Sequence, residues 1–217
     1  MEIKVLYEDN HIIAVFKQAG LPSEPNRPGE LSLFSEVKKY LKEKYKKPGN
    51  VFLGLVHRLD RPVSGIMLFG KTSKGSSRLS EQMRSGEIKK TYTALVSGIF
   101  KEKKGSLKNY LLKDRAKNKS SVSLSPDSGG KLSELSYEVI KENKNRSLLK
   151  INLKTGRSHQ IRASLSALGH PILGDQKYGS KEKMPDGLIA LSATAIEFLT
   201  ATTKEKIKLS VPASFLF

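Results

Sequence analysis

The sequence predicts an α+β fold: a mixed, mostly antiparallel sheet flanked by helices. Three observations carry that expectation. Strand-like segments, alternating or continuously apolar, recur along the 217 residues, while few segments have helical spacing. The link Glu142 to Arg146 between two strand-like runs is too short for a crossover helix, so those strands pair antiparallel. Neither an internal repeat nor a linker interrupts the chain, so one domain over residues 1–217 is expected. A hydrophobic share of 37% is enough for a sizeable core.

The elements follow in order. Residues 3–7 and 11–16 read as two strands around the turn Glu8-Asp9-Asn10. The proline- and glycine-rich stretch 18–30 is loop. Ser32 caps a helix over 33–47, which Pro48-Gly49 ends. Leu33, Val37, Tyr40 and Leu41 share one side of it, and it reads as an ordinary surface helix. Apolar residues return at 51–56, and Gly65 to Gly70 is a strand. Between them His57-Arg58-Leu59-Asp60-Arg61-Pro62 forms a polar loop held by two buried elements, a position suited to presenting a side chain. Thr72 or Ser73 caps a helix over 74–85, with Leu79 and Met83 inward. Residues 88–99 alternate as a strand. The lysine-rich stretch 100–132 is extended, with short strands near 106–112 and 121–125. Strands follow at 133–141 and 147–154, then a helix at 158–168 with Ile161, Leu165 and Leu168 buried, Gly169 at its C-terminal end and Pro171 beyond. Residues 174–179 are a turn, 188–191 a short strand, 193–200 a short helix and 205–211 an edge strand.

Lys plus Arg number 39 against 21 Asp plus Glu, a formal net charge of +18 that favours a polyanionic partner such as nucleic acid. No apolar run approaches the roughly 18 residues of a membrane span, so no membrane partner is expected. The chain has no cysteine, which removes disulfides, a thiol nucleophile and cysteine-held metal sites. The alternating, charged N-terminus does not read as a signal peptide, and a cytoplasmic location is expected. The four histidines, His11, His57, His159 and His170, show no metal-ligand spacing, so no metal site is expected. Phosphate-loop, dinucleotide and nucleophile-elbow patterns are absent, and no cofactor is expected.

Three segments remain as chemistry. Asp60 lies between Arg58 and Arg61, and a carboxylate beside arginines stays ionised; the plain alternative is a structural salt bridge. Lys90 and Tyr92, two apart on a strand, share one face, where a tyrosine can stack on a base or simply fill a core. In Gly156-Arg157-Ser158-His159-Gln160-Ile161-Arg162, an arginine beside a buried stripe needs an anionic partner, and Asp60 is a suitable one.

Those residues resemble a known family. HRLDRPVSG (57–65), LKTGRSHQIRASLSALGHPILGDQKYG (153–179) and KTYTALVSG (90–98) are similar to the shared segments of RluA-type pseudouridine synthases. So is the opening from Leu6 to Leu21, and the segments occur in the family's order over nearly the whole chain. The resemblance implies a pseudouridine-synthase-like catalytic domain with a central cleft, acting on RNA as an isomerase. It makes Asp60 the catalytic aspartate, Tyr92 the residue that stacks on the base and takes part in proton removal, and Arg162 the partner of Asp60. Arg58, Arg61, Lys90, Arg157, His159 and Gln160 are implied as RNA-binding. His57, Gln160, Asp175 and Tyr178 are implied as scaffold or pocket rim. Val63, Gln18, Ser164 and Ser192 depart from the family pattern, which bears on substrate preference more than on the reaction. The family's frequent N-terminal RNA-binding domain lies outside the resemblance, so the basic catalytic domain is expected to bind RNA itself, as a monomer. Large-subunit ribosomal RNA is the expected substrate, transfer RNA the alternative, and an inactive RNA-binding protein a further one.

Overall fold

The computed structural model describes residues 2–215. The chain divides into two compact units, Met1–Lys89 with Ala193–Pro212, and Lys90–Ser192 with Ala213–Phe217.

In the first unit, β1 (Lys4–Glu8) and β2 (Ile12–Lys17) form an antiparallel hairpin in which Glu8 pairs with Ile13. Asp9 makes the turn: one carboxylate oxygen accepts the N–H groups of His11, at 2.7 Å, and Ile12, at 2.6 Å. Helix α1 (Leu33–Lys44) starts at Ser32, whose hydroxyl accepts the Ser35 N–H while Ser35 returns the bond to the Ser32 backbone. The short β3 (Gly54–Leu55) and β2 both pair antiparallel with β4 (Ser64–Gly70). Helix α2 (Ser73–Ser85) is capped by Thr72 and ends at Gly86. Period-two alternation sorts the two faces. Ile12, Ala14, Ile66 and Leu68 pack with Leu79 of α2, while Phe69 on the opposite face meets Phe34 of α1 at 6.3 Å.

The second unit is an antiparallel sheet with a helix packed on it. β5 (Lys89–Ser97) pairs with β9 (Arg146–Leu153), β9 with β8 (Lys131–Asn143), β8 with β6 (Lys104–Asp114), and β6 with β7 (Lys119–Ser123). Of the two short strands expected in the lysine-rich stretch, the first is longer than expected and the second is the same length but shifted by two residues, and both belong to the sheet. In β6, exposed Lys104, Ser106 and Lys108 alternate with half-buried Gly105 and Leu107, so low hydrophobicity concealed a half-buried strand. Helix α3 (Gln160–Ala167) lays Ala163 against Leu111 and Tyr178. It closes with paired bonds, His170 N–H to Leu165 C=O at 3.0 Å and Gly169 N–H to Ser166 C=O at 3.0 Å. Gly169 takes φ +87°, the left-handed conformation this ending requires. The chain then returns along β5, where Leu173 N–H bonds Leu95 C=O and Leu95 N–H bonds Ala190 C=O, both at 2.9 Å.

One element is corrected. Residues 193–200, read as a short helix, belong to strand β10 (Leu191–Leu199). From Ala193 onward β10 lies beside β4 and pairs antiparallel with β11 (Lys206–Ser210). Its two alanines suggested a helix, yet Thr194, Ile196 and Phe198 alternate with Ala195 and Glu197, and Ile196 and Phe198 join the core. Burial between neighbouring strands overrides a weak helical propensity. Gly65 permits the close approach of β10: a Cβ there would lie 2.4 Å from the Ala193 carbonyl oxygen.

Candidate active site

The first unit presents Asp60 on a loop held by its backbone. The Asp60 carbonyl accepts the Val63 N–H at 3.0 Å, making a tight turn around Pro62. Leu59 is bound twice by Ser23: its N–H reaches Ser23 Oγ at 3.1 Å, and that hydroxyl donates to the Leu59 carbonyl at 2.7 Å. Gly20 N–H donates to the Arg61 carbonyl at 2.8 Å, and Arg61 Nε returns a bond to the Gly20 carbonyl at 2.9 Å. Asp60 itself is half-buried, while Arg58 and Arg61 extend to solvent near Glu24 and Glu30. His57 accepts the Leu68 N–H at Nε2 and anchors the loop's start to β4.

At the end of β2 stands Lys17, with no solvent exposure. Its Nζ donates to the carbonyls of Leu21 at 2.7 Å, Gln18 at 3.1 Å and Arg61 at 3.2 Å. Three acceptors match the three N–H donors of an ammonium. Burial pushes its pKa down to about 7, with the charge of Asp60 opposing that shift and Arg61 adding to it. The sequence did not single out Lys17, and both phases of β2 are buried at Ile12 to Val15.

The second unit carries Tyr92 and Arg162. Tyr92 is buried on β5, opposite Ile151 of β9. Lys90 lies two residues earlier on the same face, and burial lowers its pKa. Its Nζ approaches Gly156, where a Cβ would lie 3.2 Å away. Gln160 braces the turn before α3. Its Oε1 accepts from Thr155 Oγ1 at 2.8 Å and from Arg157 N–H at 2.9 Å, while Nε2 donates to the Glu134 carbonyl at 3.0 Å. His159 sits at φ +55°, and its Nδ1 lies 2.8 Å from the Tyr178 hydroxyl, which also accepts the Ser120 N–H at 2.8 Å. A non-glycine residue held in the left-handed region is locally strained, and this hydrogen-bonded turn fixes it there.

Arg162 is buried and makes a bidentate pair with Asp175: Nε to Oδ2 at 2.7 Å and Nη2 to Oδ1 at 2.8 Å. Its guanidinium lies 5.0 Å from the centre of the Tyr178 ring. Arg162 thus has a carboxylate partner in Asp175, from the turn following α3. The sequence placed Asp175 only among scaffold or rim residues. Of the six expected RNA-binding residues, Arg58, Arg61 and Arg157 are exposed and Lys90 is half-buried. His159 and Gln160 are buried, at 9% and 3% exposure, and their side-chain bonds shape the turn before α3. They act as braces within the fold, because the backbone of that polar turn needs internal partners.

Comparison with known proteins bears on the chemistry. Residues 11–167 match the family described as RNA pseudouridylate synthase. The chain is 34% identical over 214 residues to an uncharacterized RNA pseudouridine synthase of Bacillus subtilis, covering 97% of this chain and 68% of the relative. It is 34% identical over 221 residues to ribosomal large subunit pseudouridine synthase C of Buchnera aphidicola from Acyrthosiphon pisum, covering 99% of this chain and 68% of the relative. Among solved structures, human RNA pseudouridylate synthase domain containing 4 superposes with a TM-score of 0.79 at 20% identity, over 97% of this chain and 88% of its own. That likeness shows the fold. The matched segment contains the Asp60 loop, Tyr92 and Arg162, and with relatives that align over almost the full chain, this protein belongs to the RluA-type RNA pseudouridylate synthase family and is an RNA-binding isomerase that forms pseudouridine.

Proposed function

We propose that the enzyme converts specific uridines of large-subunit ribosomal RNA to pseudouridine, working as a cytoplasmic monomer. The observation that carries the substrate reading is the 34% identity, over nearly the whole chain, to a relative named for the large ribosomal subunit. Pseudouridine mapping across total RNA from cells with and without the gene tests it. The expected result is loss of signal at one or more large-subunit positions. Loss confined to transfer RNA overturns that substrate and establishes the alternative.

The reaction breaks the C1′–N1 bond of uridine, joins C1′ to C5, removes the C5 proton and returns a proton to N1. Atoms and oxidation state balance within the nucleotide. Asp60 is the catalytic carboxylate, acting at the ribose as the uracil departs. Its turn is supported by backbone bonds on both sides, so the carboxylate is presented at little conformational cost. Arg162 serves as the ion-pair partner of Asp60. Asp175 takes two of the five donors of its guanidinium and fixes the plane in which it can act. Tyr92 holds the detached uracil by stacking while it turns and takes part in removing the C5 proton. The uridine enters by flipping out of its stack, with phosphates met by Arg58, Arg61, Lys90 and Arg157.

Tyr92→Phe keeps the ring and loses the hydroxyl. Single-turnover rates are expected to fall about 100-fold, while RNA affinity by filter binding stays within about threefold. Wild-type rates in this variant would remove the hydroxyl from the mechanism.

A further inference from the structure

The first unit holds a cavity of about 420 Å³ that the mechanism above does not use. Its wall is formed by the 18–22 turn together with Arg27, Glu30, Leu31 and Arg61. The volume falls in the range of about 300–1,000 Å³ typical of ligand sites. Arg61 immediately follows Asp60, so the wall begins one Cα step, about 3.8 Å, from the residue that carries the reactive carboxylate. Two bonds tie the cavity to the Asp60 loop: the Arg61 carbonyl accepts the Gly20 N–H at 2.8 Å, and Arg61 Nε donates to the Gly20 carbonyl at 2.9 Å. The segment that supplies the remaining wall is closed on itself. Glu30 Oε2 accepts the Asn26 N–H at 2.8 Å and Asn26 Nδ2 at 3.1 Å, and the Glu30 N–H donates to the Arg27 carbonyl at 3.2 Å.

The groups on this wall match the parts of a nucleotide. Arg61 spends only Nε on the fold, because Nη1 stands 3.7 Å from Glu30 Oε1, an ion-pair distance too long for a hydrogen bond. Arg27 is exposed and has no salt bridge among the described residues. Two guanidinium groups against one carboxylate leave a positive balance suited to a phosphate. Leu31 is 50% exposed and offers an apolar surface for the face of a base. Gln18 is exposed too, and its amide, a donor beside an acceptor, has no partner among the described residues.

We propose that this cavity is a subsite for the unpaired nucleotide adjacent to the target uridine: Arg27 and Arg61 take its phosphate, Leu31 lies against its base and the Gln18 amide reads the base edge. The inference rests on the reading of Asp60 as the catalytic carboxylate, which puts the reacting uridine beside Arg61. Single-stranded RNA is recognised on bases splayed from their stack, and a side-chain amide tells their edges apart by its donor and acceptor. Such a subsite makes the enzyme selective for a base that it does not modify.

The test uses the full chain and transcripts spanning a uridine that the enzyme modifies in total RNA from cells lacking the gene. The nucleotide on each side of that uridine is changed in turn. Wild-type kcat/KM is expected to depend on one of the two neighbours, with one base favoured about tenfold. Gln18→Ala is expected to lower kcat/KM about tenfold on the favoured transcript and less than about twofold on the others, which flattens the preference. Arg27→Ala is expected to weaken binding of all transcripts alike and to reduce the salt slope of the affinity by about one, as loss of one phosphate contact does. Wild-type rates that ignore both neighbours overturn the proposal. So does a preference that survives Gln18→Ala, or an unchanged salt slope in Arg27→Ala. The two readings fail separately. Turnover by Asp60→Asn removes the catalytic assignment, whereas an inactive Asp60→Asn together with neighbour-independent wild-type rates removes only the subsite.

Discussion

Asp60→Asn is expected to leave the protein folded and bound to RNA but without pseudouridine product. The backbone bonds that shape the loop do not run through the carboxylate. They run through the Asp60 carbonyl, Ser23 and the Gly20–Arg61 exchange, all of which an asparagine preserves. The side chain is half-buried and nearly isosteric after substitution, so stability is expected to change by less than about 1 kcal/mol. The chemistry, in contrast, loses the anionic group proposed to act at the ribose. The rate of pseudouridine formation on RNA from cells lacking the gene is expected to drop by at least about 1,000-fold. Circular dichroism and filter binding check the first half of the statement, and product analysis of digested RNA checks the second. Turnover within about tenfold of wild type would sink the assignment of Asp60.

Asp175→Ala has the largest expected effect on stability. Asp175 is 1% exposed and Arg162 is 6% exposed, so removing the carboxylate leaves a guanidinium in the interior without its bidentate partner. Breaking one side of such a pair costs about 3–5 kcal/mol, which for a chain of this length lowers Tm by about 10 °C. The turn that follows α3 is affected with it, since the Asp175 carbonyl also accepts the N–H groups of Tyr178 and Ser180, both at 3.0 Å. Calorimetry on the purified variant reads the shift. The double variant Asp175→Leu with Arg162→Met is expected to recover at least half of the lost stability, because an apolar pair has no unmet charge. It is also expected to remain inactive. An active double variant would show that Arg162 serves only the fold.

Much of the architecture was legible because its causes are local. Apolar runs marked β2 and β4 and an alternating run marked β5, Ser32 and Thr72 marked the starts of α1 and α2, and Gly169 marked the end of α3. The polar loop around Asp60 stood out between two apolar segments. Where the reading failed, a distant segment decided the outcome. Ala193 to Leu199 is a strand because it lies between other strands, a circumstance absent from its own composition. The burial of His159 and Gln160 likewise rests on distant groups, the hydroxyl of Tyr178 and the carbonyl of Glu134.

The choice of partners for buried charges shows the same division. That Arg162 required a carboxylate followed from the apolar stripe beside it, since a buried guanidinium must be neutralised. That Asp175 meets it followed only from the chain's return after Gly169, which brings a turn residue back under α3. In the same way, only the folded turn at 18–21 and the carbonyl of Arg61 gave the Lys17 ammonium somewhere to bond. Backbone propensities act over a few neighbouring residues. Ion pairs and buried hydrogen bonds act over a few ångströms between residues of any separation, so they are settled when the chain packs.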